Sequence, residues 1–271
     1  MRHTYHVMIA VAAVCGLMAC SSDKATSPAS ASRPVRLSFS TMAGTVVAPL
    51  PGVSTALNAV SGTDTLVITK AQVVLSRLEL LKSAGTICGG DDSARGCEEV
   101  ERSSVVVDLP TDTTVPTVFN ASIPSGTYAS LEARLRTVHH GDDSDGDSLL
   151  AAHPEFTGSN IRVEGTFNGT PFVYIGAVNA RLELSFSPTL AVDSTGLNIT
   201  IHVDPTAWFT TGLGALIDPA TANSGGANES LVRSNIMASF HAFEDEGHDG
   251  EDDHGDHSGG GNSGPGSGSD G

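Results

Sequence analysis

The sequence predicts a mainly β fold, an antiparallel β-sandwich with a short C-terminal helix and a disordered acidic tail. Short runs rich in Val, Leu, Ile and Thr recur between residues 35 and 203, and several alternate apolar and polar residues, which is the period of a half-buried strand. Turn residues separate the runs, and Asn168-Gly169 is the strongest hairpin signal among them. Residues 258–271 are nearly all Gly and Ser, and they carry too little apolar surface to fold.

The longest predicted strand covers residues 71–82, with a bulge between Leu75 and Leu78. A helix is the alternative for this segment, but its β-branched residues favour a strand. The other strands are predicted at residues 35–40, 65–69, 104–108, 117–122, 129–138, 160–167, 171–175, 180–187 and 197–203.

Short helical segments are predicted where the alternation stops. A polar loop at residues 139–148 precedes the first of them, and the second buries Trp208 and Phe209. Asn228 is a suitable N-cap for the third. The three segments are residues 149–153, 204–209 and 229–240.

The N-terminal residues predict export and lipidation. An apolar run over residues 7–19 is shorter than the roughly 20 residues that span a bilayer, and it follows Arg2, as in a secretory signal. Leu17-Met18-Ala19-Cys20 resembles the lipobox of bacterial lipoproteins, which implies cleavage before Cys20 and acylation of Cys20, palmitate included. An ordinary signal with a chance cysteine is the alternative. Ser21, rather than Asp, after the cysteine favours the outer membrane of a Gram-negative bacterium.

Composition divides the chain into four segments. The expected boundaries are a signal peptide at residues 1–19, a lipidated tether at 20–34, a β-sandwich domain at 35–243 and a disordered His/acid then Gly/Ser tail at 244–271.

The charge balance and the missing motifs exclude several function classes. The chain has 14 Lys and Arg against 31 Asp and Glu, a net charge of −17, so its surface repels nucleic-acid phosphates. An acidic surface of this kind favours a monomer. The sequence contains neither a Gly-x-Ser-x-Gly elbow nor a His-Glu-x-x-His motif, and we therefore expect no enzymatic activity.

Two of the four cysteines remain after processing at Cys20. Cys88 and Cys97 flank a Gly- and Asp-rich loop, and such a pair in an exported protein indicates a disulfide. A two-thiol metal site is the alternative, but zinc sites need further ligands and no His lies nearby in sequence.

An acidic loop is the first candidate metal site. Alternating carboxylates around Gly146 are typical of a Ca²⁺ loop, since Ca²⁺ binds several hard oxygens on a tightly turned backbone. An EF-hand is excluded because Gly141 and Ala152 occupy its first and last ligand positions. A solvated acidic loop is the alternative. The candidate ligands are Asp142, Asp143, Asp145 and Asp147.

The His- and acid-rich tail is the second candidate. Imidazole with carboxylate suits Zn²⁺ and related ions, whereas carboxylates alone attract Ca²⁺. A solubilising tail is the alternative. The candidate ligands are His248, Asp249, His254 and His257.

Three pieces of the chain carry a family resemblance. They are residues 67–75, residues 106–109 followed by 123–128, and the strand pair through Asn168-Gly169. In this order they resemble bacterial exported lipoproteins with a β-sandwich domain of unknown function, over about residues 35–203. The resemblance implies a transthyretin-like or immunoglobulin-like sandwich on a lipoprotein.

A second resemblance rests on two short segments. Residues 163–165 and 172–176 are similar to the paired strands of the periplasmic copper-binding partner proteins of methanobactin systems. That family is expected to carry a His just before the glycine, where the nearby position of this chain is Tyr174 or Ile175. The resemblance therefore implies the strand pair without that ligand.

The sequence thus predicts a membrane-anchored envelope lipoprotein that acts as a non-enzymatic binding or structural module. Weak divalent-metal binding (Ca²⁺, Zn²⁺ or Cu²⁺) is the alternative, and an envelope hydrolase is the third reading. The expected partner is the lipid bilayer, through the acyl groups; a protein or glycan partner stays open. No motif requires a cofactor, and Ca²⁺ and Zn²⁺ are the candidate ions. The isolated His153, His202 and His241 are interpreted as structural.

Overall fold

A computed structural model describes residues 31–41, 56–83, 96–101, 103–141 and 144–253. These residues form a mainly β structure of two sheets, as predicted. The smaller sheet has four strands in the order β12-β11-β1-β6, and β1 runs parallel to β11 while the other pairs are antiparallel. Its strands are β1 (Ser32–Thr41), β6 (Thr117–Pro124), β11 (Leu197–Val203) and β12 (Phe240–Glu244).

The larger sheet is built around β3 (Asp64–Leu81), which pairs with β2, β4, β5, β7 and β8. The helix alternative for residues 71–82 is therefore wrong, and the ladder with β7 shifts register between Leu75 and Arg77, inside the interval predicted for a bulge. The remaining strands are β2 (Leu57–Ser61), β4 (Cys97–Glu101), β5 (Val105–Leu109), β7 (Gly126–Leu135), β8 (Ile161–Phe167), β9 (Thr170–Gly176) and β10 (Ala180–Val192).

The predicted hairpin at Asn168-Gly169 joins β8 to β9. Both turn residues have positive φ, 50° for Asn168 and 78° for Gly169, as the tightest hairpin turns require. The turn is further fixed by Asn168, whose side-chain oxygen accepts a hydrogen bond from the Thr65 backbone N–H at 2.8 Å.

One apolar core fills the space between the inner faces of the sheets. It combines alternate residues of the strands with Trp208 and Phe209, both of which are fully buried, as predicted. Trp208 belongs to α2 (Pro205–Trp208), whose N-cap Asp204 accepts from two backbone N–H groups. Its indole N–H donates to Ser239 Oγ at 2.6 Å, which satisfies the one polar atom of this buried side chain.

Two helical segments differ from the prediction. Helix α1 (Ser144–Ala152) occupies part of the segment predicted as a polar loop, because Leu149 and Leu150 pack against Val74 and Phe156 on the outer side of the large sheet. Helix α3 (Glu229–Ala238) ends before Phe240, which is buried as the first residue of edge strand β12. No helix in the described part of the chain is long and apolar enough to cross a membrane.

The described structure also extends past residue 243, where the tail was predicted to begin. β12 reaches Glu244, and a turn continues to Asp253. Asp245 is fully buried and hydrogen-bonded in this turn, so the fold retains residues whose composition resembles that of a solvated tail.

Gly165 offers a test of the β3–β8 packing. A Cβ at this position would lie 1.9 Å from the carbonyl oxygen of Val67, whereas a Cβ at Gly212 would have no atom within 4 Å. We expect Gly165→Ala to lower the free energy of unfolding by about 1–3 kcal/mol, measured by urea denaturation. Gly212→Ala is the matched control and should change it little. Equal stability of the two variants would contradict this packing.

Candidate functional site

A row of three polar side chains crosses the outer face of the small sheet. Ser40 of β1 pairs with His202 of β11, and His202 pairs with His241 of β12. Successive residues of a strand point to opposite faces, so Ile201 and Val203 lie in the core while His202 lies on the other face. Directly paired residues of neighbouring strands share a face, which brings the two imidazoles together.

The two ring nitrogens of His202 have different surroundings. Its Nδ1 lies 3.0 Å from Ser40 Oγ, and its buried Nε2 has no hydrogen-bond partner among the described residues. Burial lowers the pKa of His202; Asp204 opposes this shift and His241 adds to it. If the neutral ring donates Nδ1–H to Ser40, Nε2 is a buried acceptor without a donor among the described residues.

The two imidazoles line a cleft of about 530 Å³. Carboxylates contributed by two other segments of the chain surround it. Hydrogen bonds from the hydroxyl and the backbone N–H of Thr114 lower the pKa of Asp112, which keeps that carboxylate ionised. The cleft therefore places two imidazoles among carboxylates. Its ionisable lining residues are His202, His241, Asp112, Asp249, Glu251 and Asp252.

We call residues 245–252 the acidic arm, of which residues 249–252 line this cleft. Asp245 anchors the arm: its Oδ2 accepts from the Thr200 hydroxyl at 2.7 Å and from the Gly250 N–H at 3.0 Å, and its Oδ1 accepts from the Asp249 N–H at 3.0 Å. Gly250 has a φ of 84°, a backbone conformation that residues with a side chain rarely adopt. Asp249 and Asp252 are thereby carried to the rim of the cleft.

The described histidines and carboxylates of the cleft do not form a coordination shell. Among the described residues, no group of three or more His, Cys, Asp or Glu side chains stands close enough to hold a metal ion. The arrangement is thus a pair of cross-strand imidazoles in a cleft that carboxylates also line.

The predicted acidic loop is arranged differently. Asp145 and Asp147 lie in the first turn of α1, two residues apart, and such residues do not face each other on a helix. Asp147 instead accepts from the Gly141 N–H at 3.0 Å and lies 3.4 Å from His140 Nδ1. Asp142 and Asp143 lie outside the described residues, so the Ca²⁺ site stays a prediction.

The predicted tail ligands are only partly described. Asp249 lines the cleft, whereas His248 is not among its lining residues. His254 and His257 lie outside the described residues, as does Cys20. Cys97 is buried beside Leu81 at the start of β4, but Cys88 also lies outside, so the disulfide and the lipidation stay predictions.

The pairing of His202 with His241 was not predicted from the sequence. Apolar and polar residues alternate over residues 197–203, and this pattern could have indicated that His202 lies on the outer face. His241 was assigned to the region after a helix, and the pairing of β11 with β12 was not foreseen. The interpretation of both residues as isolated does not hold, because they are cross-strand neighbours in one cleft.

The chain was compared with family models, curated proteins and solved structures. No family model matches the chain, and no curated protein matches it. The chain is similar in structure to MbnP from Methylosinus trichosporium, with 11% sequence identity and a TM-score of 0.42, over 79% of this chain and 99% of that chain. This neighbour agrees with the resemblance to methanobactin partner proteins; the resemblance to β-sandwich lipoproteins of unknown function stays a prediction.

The depressed pKa of His202 predicts a pH dependence of stability. The unfolded ring takes up a proton near pH 6.5 and the folded ring only at lower pH, so protonation favours the unfolded state. The free energy of unfolding should fall as the pH drops below about 6.5. Urea unfolding at a series of pH values measures this change in the free energy of unfolding. His202→Asn should flatten this fall, and substitution of the partly exposed His153 by Asn should not. An equal fall in the parent and both variants would rule out His202 as its source.

Proposed function

We propose that this chain is an exported, lipid-anchored binding module that holds a divalent transition-metal ion between His202 and His241. The observation that carries the proposal is the imidazole of His202, with Nδ1 at 3.0 Å from Ser40 Oγ and a buried Nε2 that has no hydrogen-bond partner among the described residues. Metal-binding histidines commonly donate their second ring N–H to a fixed acceptor, which orients the ring and sets its tautomer. Ser40 is placed to act as that acceptor.

The donor set favours one class of ion. Imidazole binds Zn²⁺, Cu²⁺ and Ni²⁺ well, whereas Ca²⁺ and Mg²⁺ prefer an all-oxygen shell. The surrounding carboxylates supply charge compensation and further ligands. Zn²⁺ is therefore the ion best suited to test the site.

The charge of the chain and the order of its residues support a role in binding metal cations. The net charge of −17 attracts cations, and His254 follows directly after Asp253, where the described part of the acidic segment ends. His254 and His257 are further candidate ligands in the chain. Anchoring through Cys20 would keep this activity at the cell envelope.

A hydrolase built on the Ser40–His202 contact is the competing use of the same residues. Ser40 is only 6% exposed, and Gly250 packs against its Cβ, which leaves little access for a substrate carbonyl. A catalytic triad also needs an acid on the second nitrogen of the base, and Nε2 of His202 has no such partner among the described residues. The contact therefore supports metal binding better than acyl transfer.

Calorimetric titration of Zn²⁺ into the purified mature protein tests the site. His254 and His257 are first replaced by Gln, so that tail ligands do not mask the cleft. In this background, His202→Asn and His241→Asn should each weaken Zn²⁺ binding at least about tenfold, because each removes a nitrogen ligand.

The matched control is His153→Asn, which removes a partly exposed imidazole outside the cleft and should leave the affinity unchanged. Zn²⁺ binding that is equally strong in all three variants would place the ion elsewhere and refute the proposal. Turnover of ester or peptide substrates lost with Ser40→Ala would instead support the hydrolase.

The anchor is tested separately. Cys20→Ser should abolish the acyl mass on the mature protein and release it from the membrane fraction, because serine cannot form the thioether that carries the lipid. Intact-mass spectrometry and membrane fractionation measure both effects. Cys15→Ser lies within the predicted signal and should have no effect; membrane retention of the Cys20→Ser protein would contradict lipidation.

A further inference from the structure

We infer that a second pocket binds a small α-amino acid as a zwitterion, with Tyr174, Glu229 and Arg233 as the side chains that recognise it. This pocket, which we call the tyrosine pocket, has a volume of about 130 Å³ and lies where the end of β9 meets the first two turns of α3. It shares no lining residue with the cleft of His202 and His241, so the two sites are independent.

The phenol of Tyr174 forms the buried part of the pocket. Its side chain is only 2% exposed, and its ring packs edge-to-face on Phe209 with 5.2 Å between the ring centroids. A buried hydroxyl usually has a hydrogen-bond partner, yet no group among the described residues is hydrogen-bonded to this one. A Cβ on Gly176 would lie 2.7 Å from the hydroxyl oxygen, so the glycine leaves the hydroxyl its space.

Two opposite charges lie on the more exposed side of the pocket. Glu229 and Arg233 are four residues apart in α3 and share one face of the helix, and Arg233 Nη2 donates to Glu229 Oε1 at 2.6 Å. Burial raises the pKa of Tyr174 to about 12, and the Arg233 charge lowers this pKa while the Glu229 charge raises it. The phenol is therefore a neutral O–H donor at neutral pH, within electrostatic reach of both charges.

Both charged groups have hydrogen-bonding capacity beyond their own ion pair. A guanidinium has five N–H donors, and a carboxylate has about four acceptor positions. Among the described residues, Glu229 accepts from Arg233 and from the Gly225 N–H at 2.7 Å, which uses two of these positions. Since both side chains line the pocket, a bound molecule can use the remaining donors and acceptors.

The loop before α3 forms another wall of the pocket and is fixed on the edge of β9. Asn223 Oδ1 accepts from the Ile175 N–H at 2.9 Å, and Asn223 Nδ2 donates to the Val173 carbonyl at 3.4 Å. At the other end of the loop, Asn228 Nδ2 donates to Thr221 Oγ1 at 2.9 Å. The wall is thus formed before a ligand arrives, which lowers the entropic cost of binding.

The size and the charges of the pocket indicate the class of ligand. Pockets for drug-sized ligands have about 300 Å³ or more, so a pocket of about 130 Å³ accepts a molecule of few heavy atoms. A guanidinium and a phenol O–H bind a carboxylate, and the carboxylate of Glu229 binds an ammonium group. Glycine and alanine carry both groups on one carbon atom. A simple anion would be repelled by Glu229, and a simple cation by Arg233.

Titration of the ¹⁵N-labelled mature protein with glycine, L-alanine and D-alanine, followed by NMR, tests this inference. The backbone amide signals of residues 174–177 and 222–233 should shift in a saturable manner, which gives both the dissociation constant and the place of binding. Acetate and methylammonium each carry one of the two charges. Each should bind at least about tenfold more weakly than glycine, because each lacks one charge-assisted contact.

Two substitutions test the recognising side chains. Tyr174→Phe removes only the hydroxyl and should weaken glycine binding about fivefold to tenfold, whereas Arg233→Gln should weaken it about tenfold or more. The matched controls are Tyr128→Phe and Arg36→Gln, which remove a buried phenol hydroxyl and an arginine charge outside the pocket. Both controls should keep the affinity of the parent protein. The NMR spectrum of each variant also shows whether it is folded.

The outcomes decide the inference without reference to the metal site. Saturable shifts at the pocket that depend on Tyr174 and Arg233 would support it. Absence of shifts at millimolar glycine and alanine would show that the pocket holds only water, and would overturn it. Acetate that binds as tightly as glycine would mean that the site selects a carboxylate rather than a zwitterion, which would also overturn it. Neither result bears on Zn²⁺ binding by His202 and His241.

Discussion

The alternation of side chains along β11 is the constraint on which both the core and the site depend. Ile199, Ile201 and Val203 are fully buried against the large sheet, and burial of such side chains contributes about 1.5–3 kcal/mol each. Their burial fixes the register of the strand, because a slip of one residue would move them to the opposite face. The same register fixes Thr200 and His202 on the outer face, so the core determines where the candidate ligands stand.

The outer face of the small sheet is unusual because polar side chains there are buried rather than solvated. Thr200 is fully buried beneath the acidic arm, and Ser38 is fully buried beside Thr117, whose hydroxyl lies 3.0 Å from its own. Buried polar groups need partners, and the arm provides one for Thr200 through Asp245. The arm therefore stabilises the sheet that it covers, which explains why an acidic segment folds here at all.

Much of the architecture could be predicted from local pattern. The long β3, the hairpin at Asn168-Gly169 and the burial of Trp208 followed from period, turn chemistry and capping, each of which acts within a few residues. The first part of helix α1, residues 144–148, could not, since the helix is held by Leu149 and Leu150 packing on a distant strand. The His202–His241 pair could not either, because it exists only through the pairing of β11 with β12, and β12 follows a helix whose apolar stripe appeared to continue through Phe240.

The residues at the edge of the candidate site belong to an acidic segment. Its composition does not distinguish buried from exposed positions. Residues 244–256 read as one acidic segment, yet Asp245 is fully buried while Glu246 is exposed. A chain ended at Phe243 would lose Asp245 together with the tail histidines, and it would also leave the Thr200 hydroxyl without its acceptor. Loss of metal binding in such a chain would therefore not show whether the tail histidines or the folded part had bound the ion. Point substitutions on either side of Asp253 can separate a site in the fold from ligands in the tail, because only the former depends on the register of β11 and β12.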